Sequence, residues 1–351
     1  MAMKFNVSER VLHFKQPAGT SRGVYTERRI WLVSVSDGDA VGVGECAPLL
    51  DLSCDAMEPA LYNKVLRDFC DRIEQTGEIP YEEMRDYPSM LFGLETAMMD
   101  VRRKKEEGRS VLFDTPFARG EQGITINGLV WMGNHEEMLQ RMEEKLKLGF
   151  RCVKLKVGAI DFDQELDLVK RIRERFSYHE VELRLDANGG FRPEEALYKL
   201  ELLSQYAIHS IEQPIKQKQW AMMAELCRES PLPIALDEEL IGINDPDAKR
   251  QMLRIIKPRY IVLKPSLHGG MMGCREWIEI AKDEGIGSWI TSALESNIGL
   301  NAIAQFCSDV YGENIKIPQG LGTGQLFTDN IPMPLEIRGD KLWVKKMITC
   351  I

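Results

Sequence analysis

The chain has 351 residues, 44% of them hydrophobic, which is enough for a substantial core in one large domain or two ordinary ones. Its formal net charge of −9 argues against nucleic acid or an anionic membrane surface as the main partner, because both select basic patches. No window approaches the roughly 18 apolar residues of a membrane span, and MAMKFNVSER lacks the apolar core of a signal peptide, so the expected setting is the cytoplasm.

Residues 1–120 read as α+β. IWLVSV and AVGVGE flank SDGD, whose Asp37-Gly38 step signals a hairpin. Helices are expected near 56–75 and 88–107. In the second, Met90, Leu94, Ala97 and Met98 recur at helical spacing before RRKK and Gly108. Eight cysteines are scattered without a C-x-x-C pair, which indicates buried free thiols rather than a zinc or thioredoxin-type motif.

From about residue 123, short apolar runs alternate with amphipathic helical stretches. The runs are ITINGLV, CVKLKV, VELRLDA, IHSIEQ, PIALDE, YIVLKP, SWITSA and IKIPQG. Between two of them FDQELDLVKRIRERF places Phe162, Leu166, Val169 and Phe176 on one stripe, and PEEALYKLELL opens with Pro193, which a first helical turn tolerates. Eight β/α units imply parallel strands joined by right-handed crossovers and closed into a barrel over residues 121–330. Polar residues late in the runs keep the period: Lys156, Asp186, Glu212, Asp237, Lys264, Ser292 and Gln319 are 30, 26, 25, 27, 28 and 27 residues apart. A doubly wound open sheet usually carries a glycine-rich phosphate turn after its first strand, and INGLVWMGNH has none. The closing LEIRGDKLWV reads as a hairpin over Gly339-Asp340 that packs back onto the first region.

In such barrels the active site lies at the C-terminal ends of the strands. Those ends offer Lys154 and Lys156 on the second strand, Asp186 and Asn188 on the third, Glu212 on the fourth, Asp237, Glu238 and Glu239 on the fifth and Lys264 on the sixth. Neighbouring strands lie about 4.8 Å apart, so carboxylates on the third to fifth strands can converge. Like charges there need a cation, and oxygen-only donors suit a hard divalent ion such as Mg²⁺. The competing reading is an inward salt network between these acids and the lysines. Lys156 and Lys264 face each other across an eight-strand ring. A lysine is a poor base at its usual pKa of about 10.4, and a nearby cation or the second ammonium at Lys154 would lower it. A carboxylate substrate bound to the ion would have its adjacent C–H acidified, and a lysine could take that proton. Ser292, ending the seventh strand, is the expected polar contact to substrate. QGLGTGQ reads as a tight turn more readily than as an anion loop, and His268 as a loop histidine.

KLKVG, LRLDANGGF, IEQPI, ALDEEL, IVLKPSLHGG and SALESNIGL, in this order, resemble the muconate-lactonizing-enzyme-like branch of the enolase superfamily. The resemblance covers nearly the whole chain. It implies an α/β fold: a (β/α) barrel, a modified TIM barrel, with an N-terminal α+β capping domain (1–120) completed by the C-terminal segment 331–351. It implies Lys156 as base, Asp186, Glu212 and Asp237 as metal ligands, and Lys264 opposite, with Mg²⁺ as cofactor and Mn²⁺ as a substitute. DEE stands where DES is usual, which leaves Glu238 beside the third ligand. Lys154, Asn188, Glu238, Ser292, Glu295, Pro48 and Leu49 are the expected supporting and substrate-binding residues, the last two on the GECAPL loop of the cap.

Lys-Pro-Ser at 264–266, GECAPL and SALESNIGL are most similar to the members that dehydrate a succinyl-hydroxycyclohexadiene carboxylate in menaquinone biosynthesis. The implied partner is therefore a small-molecule carboxylate substrate; the oligomeric state is not legible. Alternatives are a dipeptide epimerase or N-succinylamino-acid racemase using both lysines and, more distantly, a Schiff-base lyase using Lys264 or a non-catalytic binding barrel.

Overall fold

The structure is a computed structural model and describes residues 3–20, 23–131, 133–158 and 161–345. Alternation along β1 (Lys4–Thr20) and β2 (Gly23–Asp37) gives one apolar face, and the two strands pair antiparallel with an irregularity between His13 and Ala18. At Gly38, whose φ of 65° suits a tight hairpin, the chain turns into β3 (Ala40–Cys46), as the Asp37-Gly38 step predicts. Two helices cover this sheet, α1 (Pro59–Thr76) and α2 (Pro88–Glu107), both with proline at the start and a left-handed glycine at the end. Helix α2 touches β3 almost backbone to backbone: a Cβ on Gly44 would lie 1.8 Å from the Gly93 carbonyl oxygen. Trp31 stacks on Tyr62, ring centroids 4.2 Å apart, inside this core.

ITINGLV does not form one strand. It divides into β4 (Ile124–Thr125) and β5 (Gly128–Val130). After β5 the chain alternates through α3 (His135–Lys147), β6 (Cys152–Lys156), α4 (Phe162–Arg175), β7 (Glu182–Asp186), α5 (Pro193–Ser204), β8 (Ser210–Glu212) and α6 (Trp220–Glu229). It continues through β9 (Ile234–Leu236), α7 (Pro246–Ile256), β10 (Tyr260–Leu263), α8 (Gly270–Asp283), β11 (Gly287–Ile290) and α9 (Asn297–Tyr311). Strands β5 to β11 form one parallel sheet in sequential order. The expected eighth strand, IKIPQG, is reduced to two parallel bridges, Gln319 to Ile126 and Gly320 to Thr291, which close the ring. Pro318 removes one ladder donor just before them, so a longer strand cannot pair there.

Period-2 alternation explains the barrel's two faces. Val153, Leu155, Leu183, Leu185 and Ile211 pack outward against the helices in the main core, whereas Lys154, Lys156, Arg184, Asp186, Ser210 and Glu212 take the other face and are all buried. Below the site, the Arg184 guanidinium lies 4.7 Å from the Trp289 ring centroid and donates to the Pro318 carbonyl at 2.9 Å, closing the barrel floor.

The terminal hairpin differs from expectation. Strands β12 (Leu335–Arg338) and β13 (Lys341–Val344) turn at Gly339, but β13 pairs with β4 rather than with the cap sheet. Trp343 covers Gly123, where any Cβ would lie 2.5 Å from its ring, so the hairpin is matched to the chain just before the first barrel strand. The chain rejoins the cap earlier: Lys15 N donates to Leu326 O at 2.8 Å, Thr328 N to His13 O at 2.9 Å, and Phe14 meets Phe327 at 4.6 Å. Residues 346–351, part of the segment expected to complete the cap, lie outside the described residues.

Candidate active site

Parallel register brings Lys156, Asp186 and Glu212 level on β6, β7 and β8. Lys156 Nζ donates to Asp186 Oδ2 at 2.6 Å and to Asn188 Oδ1 at 2.8 Å. Lys154 Nζ donates to Asp186 Oδ2 at 2.8 Å and to Glu212 Oε2 at 3.0 Å, so it bridges the two acids. Asp237 is two residues beyond Ala235, the residue opposite Glu212, and is ion-paired with Lys264. Asn188 sits at a positive φ of 44°, donates its backbone N–H to Asp186 Oδ1 at 3.1 Å and its Nδ2 to Glu238 Oε1 at 2.9 Å. His268, expected to be a loop histidine, is buried; its Nδ1 accepts from the Lys264 backbone N–H at 2.9 Å, and burial pushes it down to about 3, so it stays neutral.

The three lysines differ in charge preference. Burial lowers all of them; at Lys154 the carboxylates of Asp186 and Glu212 more than reverse this, and at Lys264 Asp237 does the same, so both are raised. At Lys156 burial, helped by the Lys154 and Lys264 ammonium groups, wins over Asp186, and the pKa falls. Burial works to raise Asp186, but Lys154 and Lys156 hold it well below the usual carboxylate range. Burial and then the Asp186 charge push Glu212 up to about 8.

A cavity of about 370 Å³ opens above this layer. Lys154, Lys156, Asn188 and Lys264 line it, together with Ser292, Thr323, Trp131 and, from the cap, Tyr25 and Leu49. Asp186, Glu212 and Asp237 are fully buried and do not line it. Asp186, Glu212 and Asp237 lie near enough that the charges of Asp186 and Asp237 both act on Glu212, yet among the described residues no three His, Cys, Asp or Glu side chains form a metal cage. The reason is the pairing above: each acid is held by an ammonium group. The donor set nevertheless fits a hard divalent cation, since all three acids offer oxygen, Asp237 Oδ1 is buried without a hydrogen-bond partner among the described residues, and Glu212 is disfavoured as an anion where it stands.

Other expected residues are distributed unevenly. Ser292 lines the cavity, with Oγ 2.5 Å from Thr323 Oγ1. Leu49 packs with Leu267 and Ala293 at the cavity's edge, while Pro48 is buried behind it. Glu295 does not reach the cavity: it accepts from Ser266 Oγ and Ala293 N, both at 2.6 Å, and so props the loop after β11. Glu238 lines a neighbouring cavity with Leu52, Cys54 and Trp220. Sequence reasoning missed Thr323, Trp131 and Tyr25. For Thr323 the signal was present in QGLGTGQ, whose Gly320 and Gly322 also line the cavity.

Residues 137–345 match the enolase C-terminal domain-like family, and residues 20–101 match the MenC N-terminal domain family. The o-succinylbenzoate synthase of Desulfotalea psychrophila is 45% identical over 362 aligned positions, covering 95% of this chain and 96% of that protein. The chain belongs to the o-succinylbenzoate synthase family of the enolase superfamily. The crystal structure of MenC from D. psychrophila LSv54 superposes with a TM-score of 0.80 at 40% identity, covering 98% of this chain and all of that one. The L-Ala-D/L-Glu epimerase of Bacillus subtilis is more distant, 28% identical over 82% of this chain and 79% of its own. Superfamily enzymes use a divalent metal, and in this o-succinylbenzoate synthase family member Asp186, Glu212 and Asp237 are the residues that could hold one.

Proposed function

We propose that the protein is an o-succinylbenzoate synthase that dehydrates a succinyl-hydroxycyclohexadiene carboxylate to the aromatic o-succinylbenzoate, a step of menaquinone synthesis in the cytoplasm. The observation that carries this reading is geometric: Lys156 on β6 and Lys264 at the end of β10 border one cavity, beside a donor set suited to a divalent cation. Its support is the 45% identity to a synthase over nearly the whole chain. In this mechanism Lys156, as the free amine, takes the proton next to the substrate carboxylate and then returns it to the hydroxyl leaving from the same face. The C–H and C–O bonds break, the ring gains its last double bond, and water departs. Lys264, kept charged by Asp237, faces the enediolate as a fixed cation. Lys154 holds Asp186 and Glu212 in register and helps keep Lys156 uncharged. A divalent cation, Mg²⁺ or in its place Mn²⁺, held by Asp186, Glu212 and Asp237, would supply polarisation of the substrate carboxylate.

One acid/base lysine and one permanent cation suit dehydration better than epimerisation, which needs proton transfer from both faces. A Schiff-base lyase would need Lys264 as a free amine, and its ion pair with Asp237 opposes that. The test is to follow the ultraviolet spectrum of the diene with purified protein. Aromatisation with Mg²⁺ that stops with EDTA supports the reading. No conversion, with solvent deuterium instead entering L-Ala-L-Glu or an N-succinylamino acid, would replace it with the epimerase or racemase.

A further inference from the structure

Arg28, on β2 of the cap, is a buried guanidinium whose hydrogen bonds all go to main-chain carbonyls. It donates to Ala47 and Pro48 on the cap loop, to Leu294 from Nε at 3.1 Å and to Ala293 at 3.2 Å on the loop after β11. Burying a charge without a contacting counter-ion is costly. The opposite charges that act on it most strongly are Glu295 and Glu45, both fully buried. What the guanidinium gains is the satisfaction of carbonyls on two irregular loops that have no sheet or helix partners for them.

Both loops end at the substrate cavity. Leu49, one residue past Pro48, lines it, and so do Ala293 and Leu294. Leu294 has a φ of 65°, a left-handed conformation that costs a leucine energy and persists only where its surroundings hold it. The holding groups are visible: Arg28 on the Leu294 carbonyl, and Glu295 on the Ala293 N–H at 2.6 Å. Glu295 also binds Ser266, two residues from Lys264. A cap carboxylate, Glu45, takes the Ser296 N–H at 2.7 Å and the Gly299 N–H at 2.9 Å, fixing the start of α9 just beyond the same loop.

We infer that Arg28 is a positioning residue for the proposed reaction: by clamping Ala47 and Pro48 against Ala293 and Leu294 it assembles the cap-to-barrel roof, formed by Leu49, Ala293 and Leu294, that closes on the substrate. Arg28 touches no substrate itself. The inference rests on the synthase reading for its kinetic consequence only, because the clamp is present whatever the substrate.

The test compares wild type, Arg28→Lys and Arg28→Met, each checked by circular dichroism to be folded at the assay temperature. Losing one or more charge-assisted hydrogen bonds from the roof should raise KM at least about tenfold in the methionine variant, with kcat held within about threefold. Arg28→Lys, which keeps the charge but reaches fewer carbonyls, should fall between. A folded variant with unchanged KM, or with kcat alone reduced, would overturn the inference, since a purely structural arginine changes melting temperature without that split. Amide hydrogen exchange, compared between wild type and folded Arg28→Met, needs no substrate. Leu49 N–H donates to Ser53 Oγ and Ser53 N–H to Leu49 O, both at 2.8 Å within their own turn, so the clamp is read from the change: at least about tenfold faster exchange at these amides in the variant supports it, and equal rates refute it. If wild type does not convert the diene, the synthase reading fails while the exchange result still decides the clamp.

Discussion

Replacing Lys156 by methionine removes the proposed base and keeps the unbranched stem. Asp186 retains Lys154 at 2.8 Å, so the buried carboxylate keeps a charge partner and the fold should be little affected. A positioned general base is worth about 10²–10⁴ in rate. Here one group performs two transfers, removing the proton and returning it to the leaving hydroxyl, so kcat should fall by about 10⁴, or about 5 kcal/mol of barrel-assisted barrier reduction. Lys264→Met should behave differently. It withdraws a fixed cation, worth about 10²–10³ in rate, and leaves Asp237, which is fully buried, without its ammonium, a loss of about 3–5 kcal/mol of stability. The assay is stopped-flow absorbance of product formation at saturating diene and Mg²⁺, alongside urea denaturation of each variant. The one-base mechanism is refuted if Lys156→Met keeps more than about a tenth of wild-type kcat, a loss smaller than any positioned base supplies.

Metal removal by EDTA should abolish turnover, and Mg²⁺ or Mn²⁺ should restore it; isothermal calorimetry of Mn²⁺ binding should show a large affinity loss for Asp237→Asn and a small one for Glu238→Gln. Gly93→Ala would set a Cβ 2.3 Å from Cys46 Sγ at the contact between α2 and β3, and should cost about 1–3 kcal/mol, read as a lower thermal midpoint. Burial pushes Glu95 up to about 7 even though it accepts from Met271 N and Met272 N, so the native state binds more protons than the unfolded chain between about pH 4.5 and 7. Its effect is most favourable below pH 4.5 and is lost as pH rises through 7, at up to about 1.4 kcal/mol per pH unit. Glu95→Gln should lack that slope in urea midpoints measured across the window, and an identical slope in both proteins would reject the assignment.

Local chemistry made much of the barrel legible. Period 2 in CVKLKV separates Val153 and Leu155 from Lys154 and Lys156, and the helices at Pro59 and Pro88 begin and end on residues whose backbone preferences are intrinsic. What escaped was partner choice over long sequence separation. LEIRGDKLWV is a hairpin by its own turn, but nothing within it says that β13 will pair with Ile124 and Thr125 rather than with the cap. IKIPQG has a strand's apolar residues, yet Pro318 limits it to two bridges. Arg28 reads in sequence as one more charge in TERR, and only the fold shows four carbonyls around it.

The DEE segment shows how a backbone change separates chemically similar neighbours. Strand β9 stops at Leu236, and residues Glu238–Leu240 turn at once into a short 3₁₀ helix. Asp237 therefore stays at the barrel mouth, paired with Lys264 and with Oδ1 unsatisfied among the described residues. Glu238 is swung sideways, where Asn188 Nδ2 donates to it and where it borders the cavity of Leu52, Cys54 and Trp220. The Asn188 that holds Glu238 also accepts from Lys156. The extra carboxylate thus acts on the proposed base through an amide, orienting its Oδ1 toward Nζ, while Asp237 keeps the oxygen that a cation would need.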